Sequence, residues 1–142
     1  LAASSHPLSH AAGEWKADLA QRLGAAGLRL DWRFETDREI VLSVVQWSAL
    51  TRILRELVSN AIAHADAARV AVELRLDGDA LTLAVADDGK GGDPQAWSHG
   101  LGLGGVRKRV RTLGGQVQWL AAPGGGIRCV VRLPLTGGEP TA

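Results

Sequence analysis

The sequence predicts a mixed α/β domain built as a two-layer sandwich, with helices packed on one face of a largely antiparallel sheet. Three observations carry the prediction. A long central segment repeats apolar residues at helical spacing, and two pairs of alternating runs are each joined by a short glycine-bearing turn. The remaining apolar periodicity fits two further helices and one more strand.

Residues 1–8 are small and polar with one proline, and are expected to form a flexible linker. From Ser9, Trp15, Leu19, Leu23 and Ala26 recur at three- and four-residue steps up to Gly27, which predicts an amphipathic helix with a glycine stop. Leu28–Phe34 alternates apolar and charged residues as a half-buried strand does. Trp47, Leu50, Leu54, Leu57, Val58, Ala61 and Ala65 then mark one stripe of a helix from about Gln46 to Ala65. Arg69–Leu76 and Ala80–Ala86, joined through Asp77, Gly78 and Asp79, form the clearest hairpin in the chain. Val106, Val110 and Leu113 define a short basic helix that stops at Gly114 and Gly115. "QVQWLAA" and "IRCVVRLPL", separated by "PGGG", close the chain as a second hairpin. Residues 9–135 make one domain, and 136–142 are expected to be a disordered tail.

Composition narrows the function classes. The formal net charge of +1 provides no broad field for nucleic acid or a membrane surface, so anion binding is expected to be local, as in "VRKRVR". One cysteine, Cys129, excludes an internal disulfide and a cysteine-based metal cluster. No apolar run approaches the roughly 20 residues of a membrane span, and a cytoplasmic location fits best. The 18 glycines exceed the usual share, which points to conformationally demanding loops.

The stretch "DDGKGGDPQAWSHGLGLGG" contains Gly100, Gly102 and Gly105 at G-x-G-x-x-G spacing. A dinucleotide site needs a strand running directly into that motif and an acidic residue about 20 positions later, and neither is present. A phosphate-loop ATPase needs G-K-S or G-K-T, and a protein kinase needs H-R-D and D-F-G; the chain has none of these.

Three other groups fit each other. Glu56, Asn60 and His64 stand at i, i+4 and i+8 on the central helix, along one ridge beside the apolar stripe. Asn60 offers a neutral oxygen to a hard cation such as Mg²⁺, and Glu56 can orient or deprotonate a nucleophile one turn away. A solvated polar face would carry the same residues. Asp87 ends a strand, where a carboxylate can accept a purine amino hydrogen bond while Gly89 and Gly91 let the backbone approach the ring; a plain turn would read the same way. "GLGLGG" opens the basic helix, where free N–H groups and the helix dipole suit phosphates, and a flexible linker is the alternative.

Taken in order, "ELVSNAIAHA", "DDGKGG", "HGLGLGGVRKRV" and "PGGGIRCVVRLPL" resemble the catalytic, ATP-binding domain of bacterial two-component sensor histidine kinases, and more closely the nitrate-sensor-like subfamily with its "GLxGMRxR"-type helix start. The resemblance covers about Leu50 to Leu135 and places the chain with gyrase, MutL and the heat-shock ATPase chaperones. It implies a Bergerat-type sandwich around an ATP cleft, with ATP and Mg²⁺ as cofactors. It further implies that Asn60 holds the metal, Glu56 supports phosphoryl transfer and His64 lies near the phosphates. Asp87 would bind the adenine amino group above Gly89 and Gly91. Gly100, Gly102, Leu103 and Gly105 would form the lid and helix start, with Arg107 and Arg109 on the basic helix and Arg107 the nearer to the phosphates.

The chain departs from the family pattern at Ala63, where Lys is usual, at Gly92, where a bulky residue is common, and at Ile127, where a Thr usually helps hold adenine. These changes bear on affinity more than on fold. The family's phosphoacceptor histidine and dimerisation helix are not found in the chain, and His6 and His10 stand in the wrong context. The expected partners are therefore ATP, a dimerisation domain carrying the acceptor histidine, and a response regulator. The isolated domain is expected to be monomeric and a full-length kinase homodimeric, with no nucleic-acid or membrane contact by this domain. Two other functions share these residues: a non-catalytic nucleotide-binding module, and a serine kinase of the anti-sigma-factor type.

Overall fold

The computed structural model describes residues 5–64, 66–91 and 104–135. The elements are β1 (Ser5–Pro7), α1 (Leu8–Ala25), β2 (Arg29–Thr36), β3 (Val41–Ser43), α2 (Val44–His64), β4 (Arg69–Asp77), β5 (Ala80–Asp87), α3 (Gly104–Thr112), β6 (Gln116–Ala121) and β7 (Ile127–Pro134). Five strands form one sheet in the order β2-β4-β5-β7-β6. β2 and β4 run parallel, and the other three pairings are antiparallel. This is the mixed, largely antiparallel sheet that the hairpin signals predict.

Side-chain alternation fixes which face is covered. Val70, Val72, Leu74 and Leu76 of β4 share one face and are buried, as are Leu81, Leu83 and Val85 of β5 and Cys129, Val131 and Leu133 of β7. They join one core with Trp15, Leu19 and Leu23 of α1, Ile53, Leu54 and Leu57 of α2, and Val106 and Val110 of α3. The opposite face bears charged residues, with Arg69 paired to Asp31 and Arg75 to Glu35 across β2 and β4. The helices therefore lie on one side, as a period of two in the strands and of 3.6 in the helices requires.

The N-terminal region differs from its expected form. A flexible linker is predicted over 1–8, yet Ser5–Pro7 pairs antiparallel with Val41–Ser43, and the helix begins at Leu8. The physical reason is remote capping. Pro7 provides no side-chain cap, so Leu8 N–H donates to the Ile40 carbonyl at 2.8 Å and Ser9 N–H to Glu39 Oε1 at 3.1 Å. The Ser9 hydroxyl also donates to Glu39, and these bonds hold the exposed Glu39 carboxyl below its ordinary range. The His6 ring stacks on Trp47 with centroids 4.5 Å apart. None of these partners is adjacent in sequence, so composition alone reads the segment as loose.

α1 ends as predicted, with Gly27 at a φ of +81°, where only glycine is unstrained, and Leu28 N–H donating back to the Leu23 carbonyl at 2.8 Å. α2 begins two residues before the predicted Gln46. Gln46 N–H donates to the Ser43 hydroxyl at 3.1 Å and Ser43 N–H to Gln46 Oε1 at 2.9 Å, a reciprocal box that satisfies two free helix-end donors. The predicted last residue of that helix, Ala65, lies outside the described residues, as do the tail 136–142 and residues 1–4. α1 and α2 are fastened by Trp15 Nε1 donating to Thr51 Oγ1 at 2.9 Å and by Asp18, which accepts from Arg22 and Arg55. None of the described helices is long and apolar enough to cross a membrane.

Candidate nucleotide site

Asp87 is the only buried charged residue among those described, at 6% exposed. The strand pattern puts it there. β5 alternates toward the core through Leu81, Leu83 and Val85, so Asp87, two residues further, faces the same way at the strand end. Leu57, Asn60 and Ala61 of α2 and Val85, Trp119, Ile127 and Cys129 of the sheet line one small cavity with it. Sheet register aligns part of this lining, since Cys129 pairs with Val85 on one side and with Trp119 on the other.

The Asp87 carboxyl is pushed above its ordinary range, first by burial, while the N–H groups of Gly89 and Ile127 pull it back and the neighbouring Asp88 adds to the rise. Gly89 N–H donates to Asp87 Oδ1 at 2.9 Å. Asp88 points elsewhere. Its Oδ1 accepts from Ala68 and Arg69 N–H, each at 2.9 Å, and these bonds hold its carboxyl low. Two adjacent aspartates thus divide the work, one clamping the start of β4 and one facing the cavity. The Cys129 thiol, buried in the same wall, is pushed up to about 12 by desolvation.

The loop before β7 forms the other edge. Gly126 sits at a φ of +84°, and a Cβ there would meet Asp87 Oδ1 at 2.5 Å. A Cβ on Gly91 would come to 3.3 Å from the Gly126 nitrogen. Two stretches separated by over thirty residues therefore meet backbone to backbone at the carboxylate, which only small residues permit.

On α2, Asn60 Nδ2 donates to the Glu56 carbonyl one turn earlier at 3.0 Å, and its amide oxygen accepts no hydrogen bond from the described residues. The Glu56 carboxylate meets Arg109 of α3, Nη1 to Oε1 at 2.6 Å. Arg107 lies with its guanidinium carbon 5.9 Å from the Trp119 ring centroid, a cation–π distance. His64 is the last residue of α2 and is exposed. Gly105 lies in the first turn of α3 against Glu56 and Arg109. Gly100, Gly102, Leu103 and Gly92 lie outside the described residues.

The structure thus brings Asn60, Asp87 and Ile127 to one cavity, with Glu56, Gly105 and Arg109 joined beside it. Trp119, Cys129, Leu57 and Val85 are cavity residues that motif reading did not single out. Their signal was parity: each lies on the core-facing side of its strand or helix.

A family model described as histidine kinase-, DNA gyrase B- and HSP90-like ATPase matches residues 46–137, more than half of the chain. The chain belongs to that ATPase family. Among curated relatives, it is 41% identical over 88 residues to the sensor histidine kinase NarS of Mycobacterium tuberculosis, covering 58% of this chain and 20% of that protein. It is 38% identical over 86 residues to the histidine-protein kinase/phosphatase UhpB of Salmonella typhimurium, covering 61% and 17%. The chain spans about a fifth of the length of these relatives. Solved structures share its fold. The catalytic domain of histidine kinase ThkA superimposes with a TM-score of 0.71 at 19% identity, covering 93% of this chain and 95% of that one. The histidine kinase domain of the Escherichia coli osmosensor EnvZ superimposes at 0.70 and 18%, covering 98% and 92%.

Within this ATPase family's fold, the described residues suit a nucleotide. No group of three or more His, Cys, Asp or Glu among them could hold a metal alone. The amide oxygen of Asn60 is a neutral oxygen donor of the kind a hard cation accepts. The buried Asp87 acceptor and the glycine edge around it suit the polar edge of a planar base.

Proposed function

We propose that this domain binds Mg-ATP and donates its γ-phosphoryl group to a histidine on a dimerisation helix outside the chain, for relay to a response regulator. The observation that carries the reading is the one buried carboxylate among the described residues, Asp87, in one cavity with Asn60 of the facing helix. Asp87 accepts the adenine amino hydrogen bond, and Gly89, Gly91 and Gly126 keep the backbone close to the ring. The apolar walls of Leu57, Val85, Trp119 and Ile127 exclude water from its faces. Asn60 Oδ1 would hold Mg²⁺, which when bound neutralises phosphate charge. Gly105 in the first turn of α3 would meet the phosphates, with His64 and Arg107 as further phosphate-side candidates; Gly100, Gly102 and Leu103, the other residues of that reading, lie outside the described residues.

In the transfer, an acceptor imidazole nitrogen bonds to the γ-phosphorus as the bond to the bridging oxygen breaks. ADP leaves with the electron pair, and the proton on the other ring nitrogen is released to a base. Glu56 supports this step by orienting the nucleophile. Ile127, buried at 3% exposure where the family's hydroxyl would stand, removes one polar contact to the base. Asp87 is accordingly the principal polar contact, and adenine affinity depends on it more heavily than in relatives with the hydroxyl.

Calorimetric titration separates base from metal recognition. Asp87→Asn is expected to weaken ATP, ADP and adenosine alike, by about 1–3 kcal/mol for one mispaired buried group. Asn60→Ala is expected to weaken Mg-ATP while leaving adenosine nearly untouched. Equal losses of adenosine and Mg-ATP in Asn60→Ala would sink the assignment.

A further inference from the structure

Among the described residues, one ion pair joins α3 to α2 beside the nucleotide cavity. Arg109 Nη1 stands 2.6 Å from Glu56 Oε1, and both side chains are about two-thirds covered, with exposures of 29% and 36%. Helical geometry explains the reach. An arginine in a helix leans toward the N-terminus over the residue four positions earlier, which for Arg109 is Gly105. A Cβ on Gly105 would meet Arg109 Nη1 at 2.8 Å and both Glu56 carboxylate oxygens at 3.2 Å. The space above Gly105 is therefore filled by the ion pair, and a larger residue there would require the Arg109 guanidinium to shift.

Arg107, two residues earlier, points to a different side and lies over Trp119, so the two arginines of the basic helix are not equivalent. At its other end, Glu56 is fixed through its backbone, whose carbonyl accepts from Asn60 Nδ2. The Glu56 residue is thus held on one side by the residue proposed to carry Mg²⁺ and on the other by the helix that opens at the phosphate-side glycines.

We infer that Arg109 is a positioning residue for Glu56: it fixes the carboxylate's direction and ties that direction to the seating of the first turn of α3, with Gly105 providing the clearance. The inference rests on the histidine-kinase reading of the site. In this role Arg109 acts through Glu56. Removing it leaves base and metal binding in place but frees the carboxylate to turn, and displacing a supporting group by about 1 Å can cost on the order of 100-fold in rate.

The test is a double-mutant cycle on the phosphotransfer rate, using the chain supplied with the dimerisation helix of its kinase. The variants are Glu56→Gln, Arg109→Ala, Arg109→Lys and the Glu56→Gln/Arg109→Ala pair, each first shown to be folded by circular dichroism. Arg109→Ala is expected to lower kcat about 10- to 100-fold while moving KM for Mg-ATP less than about threefold, with adenosine affinity unchanged. Arg109→Lys is expected to recover part of the rate, since a lysine restores charge without the planar fork. The pair is expected to be no slower than Glu56→Gln alone, because the arginine has nothing left to position. A pair slower by the product of the single effects, or an Arg109→Ala that raises KM with kcat intact, overturns the inference. A wild type that binds adenosine and Mg-ATP and labels the helix keeps the histidine-kinase reading whichever way the cycle falls. A wild type that binds neither sinks that reading and the role of Arg109 with it.

Discussion

Gly126 lies so close against Asp87 that a Cβ there would stand 2.1 Å from the Asp87 carbonyl oxygen and 2.5 Å from its Oδ1. With its φ of +84°, the position is closed to other residues by both sterics and backbone conformation. Gly126→Ala is expected to destabilise the fold by about 2 kcal/mol or more and to weaken adenosine binding, since relief of the clash moves the carboxylate. Gly124→Ala, where a Cβ meets nothing within 4 Å, is expected to stay within about 0.5 kcal/mol of wild type. Urea melts of the two variants decide, and matching midpoints would remove the steric argument.

The two adjacent aspartates should respond to pH with opposite signs. Burial raises the folded-state pKa of Asp87, so through that interval the folded chain holds a proton that the unfolded chain has lost. Stability from this group falls as pH rises through the raised value. Asp87→Asn is therefore expected to gain on wild type at neutral pH, and the gain should vanish as pH falls toward the ordinary aspartate range. Asp88 is held low by N–H donors, so it contributes stability above its unfolded pKa that is lost as pH falls through the lower folded value. Asp88→Asn should cost stability at neutral pH and progressively less in acid. Thermal melts across that range check both signs, and parallel curves for the two variants would contradict the division of work.

Cys129 should behave as a hidden thiol. It is 3% exposed with its pKa pushed up to about 12, so thiolate is scarce at neutral pH and access is blocked. A disulfide reagent is expected to label it readily in denaturant and orders of magnitude more slowly in the native chain. Saturating adenosine should slow native labelling further, because the thiol lines the same cavity as Asp87. Rapid native labelling that adenosine leaves unchanged would place the thiol outside that cavity.

Thr51 connects the two long helices. Its hydroxyl accepts from Trp15 Nε1 at 2.9 Å and donates to the Trp47 carbonyl at 2.7 Å. Thr51→Val keeps the shape and leaves the 4%-exposed Trp15 with a buried, unpaired N–H. A loss of about 1–3 kcal/mol is expected in equilibrium unfolding, whereas a Thr51→Ser variant, which keeps the hydroxyl, should retain most of the wild-type stability. A Thr51→Val midpoint equal to wild type would show that the indole finds another partner.

Much of the layer structure was legible because it depends on local periodicity. Leu50, Leu54, Leu57 and Ala61 mark a helix stripe whatever lies opposite, and Val70, Val72, Leu74 and Leu76 mark one face of a strand whatever it pairs with. Asp87 was legible as a site candidate because Gly89 and Gly91 follow it closely at the end of an alternating run. Ser5–Pro7 was not, because its strand exists only through partners at 41–43, and the cap of α1 comes from Glu39 and Ile40.

By itself the sequence determined the three helices, the five strands of the main sheet and the order of the site motifs, since these follow from spacing along one chain, but not the short strands Ser5–Pro7 and Val41–Ser43. Only the tertiary structure decided which arginine meets Glu56, which of two aspartates faces the cavity, and that Trp119 and Cys129 line it beside Ile127. Those choices depend on strand register and helix packing, which join residues as far apart as Glu56 and Arg109. Side-chain direction in such a pairing is set by the neighbouring element's geometry, and the chain's own spacing does not contain it.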